Sequence, residues 1–132
     1  MTNPKNQKKV FIKNTTKGKL PRLSFSKFKD TILGKEYELS VAFVSPKVIC
    51  ELNKTYCKKN EPTDILSFPL SKKDGEIIFC MQEVKRQAKD FNRTSTNFLQ
   101  FLLIHGLLHL KGFKHSSKME SEEEKFGKIL KV

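Results

Sequence analysis

Between Phe98 and Leu110 lies the stretch that most limits how this chain can fold. Phe98, Leu99, Phe101, Leu102, Leu103, Ile104, Leu107, Leu108 and Leu110 are apolar, and on a helix they cover nearly every side. Such a helix has to be wrapped by other elements rather than laid on a surface. It is also too short to cross a bilayer, which takes about 20 apolar residues, and it carries two histidines. Thr94 or Ser95 is its expected N-cap, and it runs to about Lys111.

The rest of the chain has to supply the wrapping. "VFIKN" reads as a short first strand. "PRLSFSKFKDTILG" places Pro21 at a helix start and Gly34 at its stop, with Phe25, Phe28 and Ile32 at helical spacing. In "YELSVAFV", Tyr37, Leu39, Val41 and Phe43 alternate with polar or small residues, as in a half-buried strand. Ser45 and Pro46 open a helix whose face is Ile49, Leu52 and Tyr56. "TDILSFPL" and "GEIIFCM" are β-rich runs split by "SKKDG", a pair of adjacent strands. A helix over about Met81 to Phe91 has Val84, Ala88 and Phe91 as its stripe. Ser117 and Glu120 form a capping box for a last helix, acidic at its start and basic at its end, read as dipole complementarity on a solvated face. The class is α+β: a small sheet of about four strands with packed helices.

At 132 residues this is one domain's worth of chain. Residues 1–9 are expected to be a flexible basic arm and residues 10–132 a single folded domain. The net charge is +12, and up to Lys29 there are nine basic residues and no acidic one. A surface so positive attracts polyanions and binds them by releasing counterions, so nucleic acid or a ribonucleoprotein is the expected partner. Three cysteines, Cys50, Cys57 and Cys80, form no CxxC pair and leave an odd thiol, which fits a reducing cytoplasm. No apolar segment follows the basic start, so neither a secretory signal nor membrane attachment is expected.

All three histidines fall in "HGLLHLKGFKH", residues 105 to 115. His105 and His109 are one helical turn apart on one face. Gly112 can end the helix in the left-handed conformation, and the reversed chain brings His115 back toward the pair. The pattern HxxxHxxGxxH thus offers three imidazoles and an open fourth position to a tetrahedral ion. One zinc ion suits this donor set best, with nickel, iron or copper also compatible. Neutral ligands leave the dication uncompensated, which favours hydroxide or a phosphate oxygen in the fourth position and lowers a bound water's pKa to about 7. The spacing is also that of extended zinc peptidases, but Gly106 stands where those need their glutamate base. Phosphodiester hydrolysis is the better match.

Two segments resemble the YbeY proteins, bacterial endoribonucleases and ribosomal RNA maturation factors. "HGLLHLKGFKH" is similar to that family's HGxLHLxGYDH, and "LNKTYCKKNEPTDILSFPL", residues 52 to 70, to its LNxxYRxKDxPTDVLSFP; "GEIIF" is similar to its GDIxI strand. The resemblance implies an α+β fold with a mixed sheet and a zincin-like metal-binding helix. It implies zinc on His105, His109 and His115, activity on single-stranded RNA, and a part in 16S rRNA maturation and ribosome quality control with the small ribosomal subunit and its proteins. DNA is not an expected substrate. Asp64 to Phe68 would line the cleft, with Ser67 offering a hydroxyl near the metal. The family's arginine falls on Cys57, so Lys58 or Lys59 would substitute as a point charge for the phosphate. The family's aspartate before the last histidine is Lys114, which replaces an acceptor by a cation. These departures give weight to a second function class, a ribosome-assembly or RNA-binding factor whose metal is mainly structural.

Overall fold

A computed structural model describes residues 9–132. Strand β1 (Val10–Asn14) leads into helix α1 (Phe25–Leu33), strand β2 (Glu38–Phe43) and helix α2 (Pro46–Cys57). A hairpin of β3 (Ile65–Pro69) and β4 (Asp74–Phe79) follows, then helices α3 (Met81–Asp90), α4 (Ser95–Lys111) and α5 (Ser117–Leu130). The four strands form one mixed sheet in the order β1-β2-β4-β3, parallel except for the β3–β4 pair. Most of the expected basic arm, residues 1–8, lies outside the described residues. Lys9 extends β1, its carbonyl accepting from the Leu39 N–H at 2.9 Å and its ammonium meeting Glu36 at 3.1 Å.

Alternation along β2 and β4 divides the interior in two. Leu39, Val41 and Phe43 lie in register with Val10, Ile12 and Asn14 on one side and with Gly75, Ile77 and Phe79 on the other, and this face is covered by α1 and α4. Phe43 stacks on Phe79 with ring centroids 5.3 Å apart. On the opposite face Leu66, Ile78 and Cys80 meet Ile49 of α2 in a smaller cluster. Tyr56, expected on the buried face of α2, is 65% exposed instead, because it lies beyond this cluster and rests edge-on against Phe68.

Helix α4 has the boundaries its pattern requires, with Thr94 Oγ1 accepting from the Asn97 N–H at 3.1 Å. Eight of its nine apolar side chains are buried, and only Phe101 is partly open. Each contributes about 1.5–3 kcal/mol of gross burial, so α4 is firmly anchored. It touches α1, α3, α5 and β3, the near-complete wrapping its composition demands.

Three boundaries differ from expectation. Helix α1 begins at Phe25, not Pro21, because the Ser24 hydroxyl accepts from the Lys27 N–H and so sets the first turn. The cap of α5 is Ser116, one residue earlier than expected, with its Oγ accepting from the Met119 N–H at 3.2 Å. Phe91 lies just past α3 and is exposed, stacking on Phe98 rather than entering the core. One buried charge needs comment: the Lys29 ammonium donates to the Gly34 and Lys35 carbonyls at 3.2 and 3.0 Å and pairs with Asp30. It thereby satisfies two carbonyls just beyond the last residue of α1.

Candidate metal centre

The site starts from the C-terminal end of α4. Gly112 takes φ +110°, its N–H bonding the His109 carbonyl and the next N–H, of Phe113, bonding that of Leu108 at 3.0 Å. These two bonds are a Schellman closure, which only a left-handed residue permits without strain. The chain then doubles back and delivers His115 to the face already carrying His105 and His109. One ring nitrogen of each lies within 4.8 Å of the others.

Hydrogen bonds on the far side of two rings decide what those nitrogens can do. His109 Nδ1 is 3.0 Å from the Phe113 carbonyl oxygen, which can only accept. His105 Nδ1 is 3.2 Å from Glu123 Oε1, a carboxylate that accepts likewise. Both rings therefore carry a proton on Nδ1 and turn Nε2 toward each other across 3.1 Å, so that in the neutral rings the two Nε2 atoms present lone pairs to each other. Two bare lone pairs at that separation repel, and a cation between them removes the conflict. Tetrahedral nitrogen ligands at 2.0–2.1 Å from zinc stand about 3.3 Å apart, close to the separation here. The donor set thus fits a metal ion. Burial and the neighbouring histidines push the His109 pKa below its usual 6.5, while its bond to the Phe113 carbonyl acts the other way. The net effect keeps the ring neutral, as a ligand must be.

Glu123 was not evident from sequence, where its acidic run reads as a solvated helix start. Instead its side chain is 14% exposed and orients His105. No local spacing links residues 105 and 123; α5 folding back along α4 brings them together.

The triad opens into a cleft of about 780 Å³. Its opposite wall is strand β3 with the residues before it, including Asp64 and Ser67. Ser67 faces α4 rather than solvent, and a Cβ on Gly106 would lie 2.9 Å from its Oγ, 2.9 Å from Ile65 Cδ1 and 3.1 Å from Ile77 Cδ1. The helix sits so close to the sheet that position 106 has no room for a side chain. A glutamate at 106, as a peptidase would need, would clash with these side chains as they stand. Phe68, expected in the cleft with its neighbours, turns to the other face of the sheet against Tyr56.

Asn53, buried in α2, shapes the cleft's rim. Its side-chain amide donates to the Glu61 carbonyl at 3.0 Å, and its own carbonyl accepts from Lys58 and Lys59. That clamp sets Lys59 on the cleft beside Cys57. Lys58 occupies the left-handed cap of α2, exposed, and does not line the cleft. From α3, Arg86 also reaches the cleft, tied to Glu83. Burial holds the Asp64 carboxyl above its usual 3.8, only partly offset by bonds from the Ile65 N–H and the Thr63 hydroxyl. Among the described residues no helix is long and apolar enough to cross a membrane.

Comparison with known proteins agrees with this geometry along nearly the whole chain. The family model described as Endoribonuclease YbeY matches residues 2–131. Endoribonuclease YbeY of Aquifex aeolicus is 32% identical, covering 98% of this chain and 92% of that one. The Staphylococcus carnosus protein of the same name is 35% identical over 80% of this chain and 76% of its own. The solution structure of TM1509 from Thermotoga maritima superposes with a TM-score of 0.60 at 31% identity, covering 89% and 85% of the two chains. A mixed four-stranded sheet, three convergent imidazoles and this extent of likeness lead to one assignment: the chain belongs to the Endoribonuclease YbeY family.

Proposed function

We propose that this chain is a zinc-dependent endoribonuclease that cleaves single-stranded RNA, acting in 16S rRNA maturation and ribosome assembly or quality control. Residues 10–132 would form the catalytic domain and residues 1–9 a basic arm that contacts RNA. The partners would be the small ribosomal subunit and its proteins, in the cytoplasm. The observation that carries the reading is the pair of facing Nε2 atoms 3.1 Å apart, joined by His115, in a cleft that Lys59 and Arg86 also line.

His105, His109 and His115 would hold the ion. When bound, zinc supplies Lewis acidity and an acidified water for phosphodiester hydrolysis. The protein's own part is positional. Glu123 and the Phe113 carbonyl fix the tautomers of two ligands. Lys59, held by the Asn53 clamp, neutralises backbone phosphate, and Lys58, just outside the cleft, adds charge to the approach. Ser67 Oγ, wedged against Gly106, can donate to a phosphate oxygen. Asp64 lies on the same wall and can accept a proton, its raised pKa suiting that role.

Elemental analysis together with cleavage of rRNA by the wild type and His109→Ala tests this. Stoichiometric zinc and cleavage lost in the variant are expected. Stoichiometric metal with no metal-dependent cleavage would overturn the nuclease reading in favour of an assembly factor, for which Cys57 in place of a phosphate-binding arginine is the supporting feature.

A further inference from the structure

Cys57, at the end of α2, lines the cleft and offers no guanidinium there. Recognition of two phosphate oxygens at once calls for a guanidinium, which Lys59 does not supply. Among the described residues, two lysine or arginine side chains line the cleft, Lys59 and Arg86. Lys59 is an exposed point charge on a flexible stem. Arg86 is different, because something holds it.

Glu83, one turn earlier on α3, has a side chain only 10% exposed, and its Oε2 accepts from Arg86 Nε at 3.0 Å and Nη2 at 2.6 Å. A single oxygen of a buried carboxylate, accepting from both groups on one edge of the guanidinium, restrains that edge. Of its five N–H donors, three remain, both on Nη1 and one on Nη2. The Arg86 side chain is 64% exposed and lines the cleft. A guanidinium restrained along one edge, with three donors remaining and a place in a cleft containing three imidazoles, has the form that binds phosphate oxygens two at a time.

We propose that Arg86 is the bidentate phosphate ligand of this cleft, with Glu83 as its positioning residue, so that α3 supplies the contact that Cys57 cannot make from α2. The assignment rests on the reading of the chain as an RNA-cleaving enzyme and names the group that holds the substrate backbone. It also accounts for a buried Glu83 bonded to an exposed arginine, an arrangement that a solvated helix pair does not require.

Binding and cleavage are measured separately. Single-stranded RNA binding is titrated against salt for His109→Ala and for the double variants carrying Arg86→Ala or Arg86→Lys, and cleavage is measured with the wild type and Arg86→Ala. Arg86→Ala is expected to weaken binding about 10- to 100-fold and to reduce the slope of log K against log salt by about 0.7, the share of one phosphate on a single strand. Arg86→Lys should restore the slope while recovering only part of the affinity, because lysine keeps the charge and loses the fork. Cleavage by Arg86→Ala should show a raised KM with the zinc content unchanged. Unaltered affinity and slope in Arg86→Ala would overturn the assignment, whether or not the wild type cleaves. Absent cleavage by zinc-loaded wild type, with the Arg86 effect on binding intact, would overturn the nuclease reading alone. No measurable RNA binding by the zinc-loaded wild type would overturn both.

Discussion

Replacing Gly106 with alanine tests how tightly the metal-binding helix is seated. The backbone at 106 is ordinary helix, so alanine meets no conformational penalty there and brings its intrinsic helix preference of about 1 kcal/mol. Against that gain, the new methyl would approach Ile65 and Ile77 methyl groups and the Ser67 hydroxyl at 2.9–3.1 Å, all inside normal contact. Each is the end of a side chain and could give way alone. They come from two adjacent strands and close on the methyl together, and Ile77 is fully buried, so relief on one side tightens another. Overpacking of this kind costs about 1–3 kcal/mol, leaving a net loss of about 1 kcal/mol. With a urea slope of about 2 kcal/mol/M, the unfolding midpoint of the metal-free protein should fall by about 0.5 M. Gly127→Ala in α5 supplies the control, since the nearest atom to its Cβ is 3.9 Å away. That variant should be stabilised by about 0.5–1 kcal/mol. The same chemical change thus has opposite signs at two helical sites. A Gly106→Ala midpoint equal to or above the wild type would refute the close approach of α4 to the sheet.

Glu123→Ala should lower zinc affinity about 10- to 100-fold, read by competition with a chromophoric chelator, because His105 loses the acceptor that sets its tautomer. Zinc at a hundred times its Kd should stabilise the protein by about 2.7 kcal/mol, and chelation should remove that increment from the thermal midpoint. Asp64 has a folded pKa above its unfolded 3.8, so its stability contribution is fully present below about pH 3.8 and is lost as pH rises through the folded value. Asp64→Asn, which keeps the acceptor for Thr63, should therefore be more stable than wild type in urea at pH 7, with the advantage vanishing toward pH 4; an equal advantage at both would count against burial as its cause.

Where sequence and structure agree, the information is periodic and local. The apolar wrap of α4, the alternation in β2 and the Ser45–Pro46 entry to α2 each act within a few residues, and each sets an element that packing then reinforces. At the two helix starts where they diverge, a side-chain hydrogen bond sets the boundary. Ser24 overrides Pro21, and Ser116 overrides Ser117, because one side-chain bond decides which residue turns the chain. The site divides in the same way. Its three histidines lie on eleven consecutive residues and are legible. Glu123, the packing of Ser67 on Gly106 and the Glu83–Arg86 approach depend on how α5, β3 and α3 are arranged around α4, which no single window contains.

His109 links the two halves of that division. Its carbonyl accepts the Gly112 N–H that closes the helix, and its ring donates to the carbonyl of Phe113, the first residue of the return. The same ring is a candidate ligand. Metal binding and turn closure are therefore coupled through one imidazole: an ion on Nε2 makes the Nδ1 proton a stronger donor, and a closed turn keeps His115 beside the pair. His105 lacks this second duty, being held from outside by α5. His109→Ala should accordingly lose more than one ligand's worth of affinity, because the exposed His115 is released with it, whereas His105→Ala leaves the turn bonded. A zinc titration of the two variants, with amide exchange at Phe113 and His115 followed alongside, measures the difference. Faster exchange should appear in the metal-free His109 variant only, and equal protection in both would show that Gly112 holds the turn unaided.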